Sequence, residues 1–214
     1  MTLLDQIYQL LSAYIKRRLS LYLGILILFV MGIAFGALAV QTLSESQKWD
    51  LSSYIISMYR SMSPNLSLSR QTLIRYGMLD NIVKSCGLLW LLGLTIIGAP
   101  LILIIIFLRG FVVGFSVGFV IDELFFKGIV LAIVSIVPHN IIAVPAIILA
   151  GGASFSFALT SFRTLLGVST ENIYNQFIAC TFIMLLSGGL LTIGIFVEVY
   201  LTPIFINLTK GLLA

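Results

Sequence analysis

The sequence predicts an all-α polytopic membrane protein, with about five transmembrane helices and further amphipathic helices on the bilayer surface. Of its 214 residues, 60% are hydrophobic and only 9% are charged, and the mean hydropathy is +1.15. Several uncharged runs are long enough to cross a hydrocarbon core about 30 Å thick, which takes about 20 apolar residues per helix. The basic residues flank these runs, as is typical of residues that lie at lipid headgroups. The chain therefore forms one integral membrane domain.

The N-terminal region contains two elements. Residues 1–18 place apolar side chains at helical spacing before Lys16, Arg17 and Arg18, which predicts an amphipathic helix on the membrane surface. Residues 21–40 are uncharged and form the first membrane segment, which we interpret as a retained span and not as a removed signal. The basic cluster beside this span favours a cytoplasmic N-terminus in the cell membrane.

The one long polar segment, residues 41–85, is also predicted to be helical. Ser44 and Gln47 have the spacing of a capping box, and apolar residues recur on one face after them. A second helical pattern follows the break at Ser63 to Asn65. The segment is therefore expected to form two amphipathic helices on the bilayer.

Four further membrane segments follow this polar region. Pro100 is expected to kink the first of them, and Arg109 is expected to close it. The second, 110–137, is interrupted by the polar patch 122–127. Either this patch forms the end of a membrane span, or residues 110–137 form a re-entrant hairpin. The predicted segments are 87–108, 110–137, 141–159 and 177–197. Cys86 and Cys180 are predicted to be buried free thiols.

A glycine face is predicted to pack helices closely. Gly110, Gly114 and Gly118 recur every four residues and so line one side of a helix, where backbones can approach and gain van der Waals contact. The partner is either a helix of the same chain or a helix of a second copy in a homodimer. Because small-residue interfaces are common inside bundles, we favour packing within the chain.

A candidate polar site lies at the ends of the last two membrane segments. His139 and Asn140 precede 141–159 and Glu198 follows 177–197, so an antiparallel hairpin would bring His139 and Glu198 to the same membrane face. A carboxylate near an imidazole can orient it, share its proton or bind a cation with it. With no nucleophile or third ligand beside them, we expect neither a catalytic residue nor a metal site nor a cofactor, and a helix break that Asn140 caps is the favoured interpretation.

Composition and patterning also weigh on other classes of function. The formal charge of +4 reflects headgroup anchoring, so membrane lipids and not nucleic acid are the expected partners. A small transporter or channel would need a continuous polar path, and the predicted spans offer few charges to line one. An intramembrane enzyme that uses His139 and Glu198 is the other alternative.

Four stretches of the sequence carry a family likeness: LSESQKWDL at 43–51, GLLWLLGLTIIGAPLILIIIFLRGFVVGFSVGF at 87–119, VPHNIIAVPA at 137–146 and FVEVYLTP at 196–203. Together they resemble the stage II sporulation protein M family. The resemblance implies a membrane scaffold without enzymatic activity, acting in forespore engulfment with a peptidoglycan amidase and a lytic transglycosylase. Some relatives carry a Pro-His-Gly break with a glutamate downstream, where this chain has Asn140 and Ala143.

The resemblance also indicates where the wall enzymes would bind. With a cytoplasmic N-terminus, the sizeable segment outside the cytoplasm is 41–85, which is rich in aromatic and adaptable side chains of the kind found at interaction hot spots. Burial of the same side chains among lipid headgroups is the alternative. The candidate partner-binding residues are Trp49, Tyr54, Met58 and Tyr59.

Overall fold

The computed structural model describes residues 18–61, 74–75, 77–95, 97–168 and 172–213, without the side chains of 54–61, 80–81 and 201–213. Apart from Arg18, the predicted N-terminal helix lies outside these residues. Within them the chain is helical and has no strand. The helices are α1 (Leu19–Gln41), α2 (Glu45–Ser61), a π-helix (Leu79–Gly87), α3 (Leu88–Gly93), α4 (Gly98–Ser135), α5 (Val137–Leu165) and α6 (Ile173–Leu213).

Four of these helices are long and apolar enough to cross a bilayer: α1, α4, α5 and residues 173–200 of α6. A shorter apolar helix, Ile82–Gly93, lies beside them and includes α3. The protein is therefore an all-α polytopic membrane protein, as the sequence predicts. α5 is the central helix, because 61% of its most apolar window is buried, against 22% to 39% for the other three.

Local sequence explains where several helices begin and end. The predicted capping box of α2 is confirmed: the backbone N–H of Ser44 donates to Gln47 Oε1 at 3.0 Å, and the N–H of Gln47 donates to Ser44 Oγ at 3.4 Å. α5 ends in a Schellman motif, in which Gly167 has a φ of +70° and the N–H of Val168 donates to the carbonyl of Arg163 at 3.0 Å.

The boundaries between residues 87 and 137 differ from the sequence-based expectation. The chain turns at Leu94, Thr95 and Ile97, not at Arg109, and α4 runs uninterrupted through Arg109 and Gly110. Pro100 lies in the first turn of α4, where its missing N–H would have no helical partner, so it causes no kink there. The segments expected at 87–108 and 110–137 thus share one long helix, which begins at Gly98.

α4 bends sharply near its end. Phe125 has φ 49° and ψ −126°, a backbone conformation that favours glycine, and holding a phenylalanine there costs about 1–3 kcal/mol. A side chain added at Gly128 would collide with the carbonyl oxygen of Val120. The chain after Phe125 therefore folds back against the last turns before it, and residues 122–127 form the turn.

Inter-helix contacts give the direction of each helix. Phe29, Ile33 and Ala37 of α1 lie in that order along α4, so α1 and α4 are parallel. α5 runs the opposite way, because Arg18 and Tyr22 of α1 contact Ser156 and Gly152 respectively. α6 is antiparallel to α5, since Gln176 contacts Ser156 and Gly194 contacts His139.

Residues 77–93, which include the π-helix and α3 and are called the short helical segment here, run along α6. The start of this segment, Gly77, lies against Ile195, and further along Trp90 Nε1–H donates to Thr181 Oγ1 at 3.3 Å. It is thus antiparallel to α6 and to α4. This segment returns the chain to the end of the bundle at which α1 begins, which is why α1 and α4 can be parallel.

Candidate functional site

The glycine face of α4 packs against α1 of the same chain. Side chains added at Gly110 or Gly114 would collide with the carbonyl oxygens of Phe29 or Ile33, and one at Gly118 would lie 3.1 Å from Cα of Ala37. α1 contributes Gly32 and Gly36, which lie equally close to the α4 backbone. A homodimer through this glycine face would have to displace α1.

The His139 end of the bundle is defined by the start of α5, residues 194–200 of α6, the end of α1 and the turn at 122–127. Here His139 and Glu198 come together, with Nδ1 of His139 3.3 Å from Oε2 of Glu198 and 3.2 Å from the carbonyl oxygen of Gly194. Both acceptors face the same ring nitrogen, which places the proton on Nδ1 in the neutral ring. The pair therefore links the start of α5 to α6.

The chemistry open to this pair is limited by its surroundings. The side chain of His139 is 15% exposed and that of Glu198 is 52% exposed. Within the described ranges, no group of three or more His, Cys, Asp and Glu residues could hold a metal ion. What the geometry supports is an oriented imidazole that joins two helices near the membrane face.

Asn140 does not cap a helix, contrary to the sequence-based expectation. α5 begins at Val137, so Asn140 lies in its first turn. Its side-chain amide donates to the carbonyl oxygen of Ile136 at 2.8 Å, and its backbone N–H donates to the same oxygen at 3.3 Å. Asn140 therefore satisfies the carbonyl at the junction of α4 and α5.

The Arg18 end, opposite the His139 end, holds a polar cluster that sequence reasoning missed. The guanidinium of Arg18 donates to Oγ of Ser156, to Thr160 Oγ1 at 3.3 Å and to Gln176 Oε1 at 3.1 Å. Nε2 of Gln176 donates to Ser156 Oγ at 3.2 Å. Ser156, Thr160 and Gln176 are buried. One signal was available, since Ser156 and Thr160 are polar residues four apart on a helix and share one face.

The sequence-based prediction puts Arg109 at the end of a span, and the structure does not. Arg109 lies eleven residues after Gly98 in α4 (109 − 98), about 16 Å along the helix axis and so near the middle of the bilayer rather than at its surface. Its guanidinium donates to Oγ of the buried Ser85 in the π-helix. Arginine at such depth is costly in lipid and turns toward protein. Arg109 therefore fastens the short helical segment to α4.

An apolar groove lies between the short helical segment and α6. Its volume is about 590 Å³, and its walls include Ile82, Trp90, Thr181 and Leu185. Cys86 lines this groove, and both Cys86 and Cys180 are free and buried, as the sequence predicts. The groove offers almost no polar groups, so it has no arrangement of side chains for catalysis.

The predicted partner-binding residues lie in α2. Trp49 is 75% exposed, and the side chains of Tyr54, Met58 and Tyr59 lie outside the described residues. α2 contacts the bundle through Nζ of Lys48, which lies 2.6 Å from Oδ2 of Asp122. This hydrogen bond raises the pKa of Lys48 above its ordinary value of 10.5. The helix is thus held at the His139 end, beside the turn at Phe125.

Comparison with protein families gives a match over most of the chain. Residues 25–203 match the family model described as SpoIIM, Stage II sporulation protein M. The chain belongs to the stage II sporulation protein M family. No curated protein and no solved structure matches it.

The SpoIIM match covers most of the features described above, but not Arg18 or Tyr22. It begins within α1 and ends in α6, and so includes the glycine interface, Arg109, the His139–Glu198 pair and the turn at Phe125. Membership makes this a sporulation-related membrane protein, and SpoIIM is not a known family of enzymes.

Proposed function

We propose that this SpoIIM protein is the membrane scaffold of a peptidoglycan-remodelling complex that acts in forespore engulfment. Its partners are a peptidoglycan amidase and a lytic transglycosylase, and the protein itself carries out no hydrolysis. The family match over residues 25–203 is the observation that carries this proposal.

The polar side chains in the bundle join helices to one another, which supports a scaffold role. Arg18, Arg109 and Lys48 each bond a residue of another helix, and His139 does the same. These groups tie helices together and are not gathered around a cavity. A rigid membrane body of this kind can hold other proteins in fixed positions, because it loses little conformational entropy when they bind.

The proposal includes an orientation. Lys16, Arg17 and Arg18 precede α1, and Arg163 lies in the last turn of α5 at the same end of the bundle. By the positive-inside rule this end faces the cytoplasm. The His139 end then faces the cell wall, where the amidase and transglycosylase work.

Reconstitution of the full-length protein in nanodiscs tests the proposal. The purified extracellular domains of the amidase and the transglycosylase should bind these nanodiscs and not empty ones, and deletion of the gene should block engulfment. Absence of binding by both enzymes would refute the scaffold role.

A His139→Ala variant separates the scaffold from the intramembrane-enzyme alternative. A scaffold should keep both enzymes bound and should still support engulfment, because the pair only joins two helices. Loss of engulfment with normal assembly and normal enzyme binding would instead assign a chemical role to His139.

A further inference from the structure

The turn at residues 122–127 of α4 displays bulky apolar side chains that nothing within the described residues covers. Phe125 is 76% exposed and Phe126 is 86% exposed, and Leu124 before them is also exposed. Phe125 is the one described residue other than glycine with a positive φ. Glycine would fit this backbone without strain, so the phenylalanine is not there to help the chain turn.

The turn is held firmly from behind. Gly128 packs against the backbone of Val120 and Ile121, so the two arms of the bend touch. On one side Asp122 forms an ion pair with Lys48 of α2, and Trp49, the next residue of α2, is 75% exposed. Two segments far apart in sequence therefore present exposed aromatic rings at the His139 end.

The charges around these aromatic side chains are mostly negative. Four carboxylates and two lysines lie in the turn or within one helical turn of Trp49, which gives a net charge of −2 (4 − 2). They are Glu45, Asp50, Asp122, Glu123, Lys48 and Lys127. An anionic bilayer surface would repel this rim, so lipid headgroups are a poor match for it. A protein surface with basic side chains around an apolar pocket is complementary to it.

We infer that Trp49, Phe125 and Phe126 form the docking surface for a wall-remodelling enzyme, which binds them in an apolar pocket with a basic rim. The inference rests on the proposed function and on the outward orientation of the His139 end. Large aromatic side chains at the centre of an interface, surrounded by a polar rim, carry most of the binding energy in many complexes. The fixed bend presents them already ordered, which reduces the entropic cost of binding.

This surface shares Trp49 with the partner site predicted from the sequence and adds Phe125 and Phe126 of α4. The side chains of Tyr54, Met58 and Tyr59 lie outside the described residues, so their part in the partner site stays a prediction. Sequence periodicity could not join α2 to this turn of α4, because the link is the ion pair between Lys48 and Asp122.

Two substitutions in nanodisc-reconstituted full-length protein test the surface. Phe126→Ser and Phe125→Gly should each weaken binding of the purified amidase or transglycosylase domain by about tenfold or more. Phe125→Gly also removes the backbone strain, so its thermal stability should equal or exceed that of the wild type. Leu165→Gln is the matched control, because Leu165 is 71% exposed at the Arg18 end and its replacement should leave binding unchanged.

The outcomes separate this inference from the proposed function. If the wild type binds an enzyme and both phenylalanine variants bind it equally well, the docking surface is refuted and the scaffold role stands. If the wild type binds neither enzyme, the scaffold role fails and the inference fails with it.

A labelling experiment distinguishes a protein partner from lipid. Because Cys86 and Cys180 are buried, a Phe126→Cys variant can be labelled selectively with an environment-sensitive fluorophore. The label should report water in nanodiscs alone and become protected when the enzyme is added. A label already buried in the bilayer before the enzyme is added would overturn the inference.

Discussion

The interior contacts of the bundle and the contacts at its His139 end differ in how much freedom they leave. In the interior, the glycine faces of α1 and α4 touch backbone to backbone, and at the Arg18 end the guanidinium of Arg18 bonds three residues on two helices. At the His139 end, the ion pair of Lys48 with Asp122 and the contact of His139 with Glu198 join neighbouring elements, and Glu198 is half exposed. Aromatic side chains there stand uncovered.

This difference indicates that the two regions have different roles. The close contacts of the interior fix the relative positions of the spans, because in lipid there is no hydrophobic force between helices and close packing must replace it. Polar side-chain pairs that are partly exposed contribute little to stability, so they can be rearranged when another protein binds. Substitutions in the interior should therefore lower the stability of the protein, whereas substitutions at the His139 end should weaken partner binding.

The largest effect is expected at the glycine interface. Gly114→Leu should destabilise the protein by roughly 3 kcal/mol or more, because its side chain would collide with the carbonyl oxygen of Ile33. Thermal unfolding can be followed with a thiol-reactive dye, since both cysteines are buried in the folded state. Val113→Leu, one residue away, is the control and should cost less than about 1 kcal/mol. Equal tolerance of the two changes would show that the glycine face does not contact α1.

A smaller effect is expected at the Arg18 cluster. Arg18→Ala should cost about 2–3 kcal/mol, because it removes a charged donor shared by buried Ser156 and Gln176. Arg18→Lys should lie between this variant and the wild type, since an ammonium cannot bridge all the acceptors in the same geometry. The exposed Arg163 at the same end is the control, and Arg163→Ala should change the melting temperature little. An equal loss of stability in Arg18→Ala and Arg163→Ala would show that the Arg18 cluster contributes no more than an exposed charge does.

How far the sequence predicts this structure depends on the range of the signal. Uncharged runs, the capping box at Ser44 and the glycine spacing are local patterns, and each corresponds to an observed helix, cap or interface. The hairpin argument that joins His139 to Glu198 uses only the order of two consecutive spans. Such features follow from periodicity and connectivity.

Features set by contacts distant in sequence were not predictable. The sequence places Arg109 at the end of a span because cations usually end spans, whereas its position near mid-bilayer depends on Ser85 of another helix. The cluster at Arg18 needs residues 138 and 158 positions away, and the bend at Phe125 contradicts the local preference of phenylalanine. These departures lie where tertiary contacts outweigh local propensity.

A modest effect is expected at the His139–Glu198 pair. Glu198→Gln should cost about 1 kcal/mol or less, because the carboxylate is half exposed and Gly194 still accepts from His139. His139→Ala should cost more than Glu198→Gln, since it also removes the contact with Gly194. A double-mutant cycle measured by thermal unfolding gives the coupling between the two side chains. A coupling energy well above that of an exposed pair would mean that the His139 end is as tightly fixed as the interior.

The smallest effect on stability is expected at Lys48, and it should depend on pH. The pKa of Lys48 is raised above 10.5 by its hydrogen bond to Asp122, so the folded protein holds this proton more tightly than the unfolded chain. The stabilisation by this ion pair is therefore complete below about pH 10.5 and is lost as the pH rises through the raised value. The melting temperature of Lys48→Met should lie slightly below that of the wild type at neutral pH, and the two should converge in strong alkali. High salt should also bring them together, because exposed charges are screened. If the melting temperatures of Lys48→Met and the wild type still differ in strong alkali and in high salt, Lys48 acts through its aliphatic stem and not through its charge.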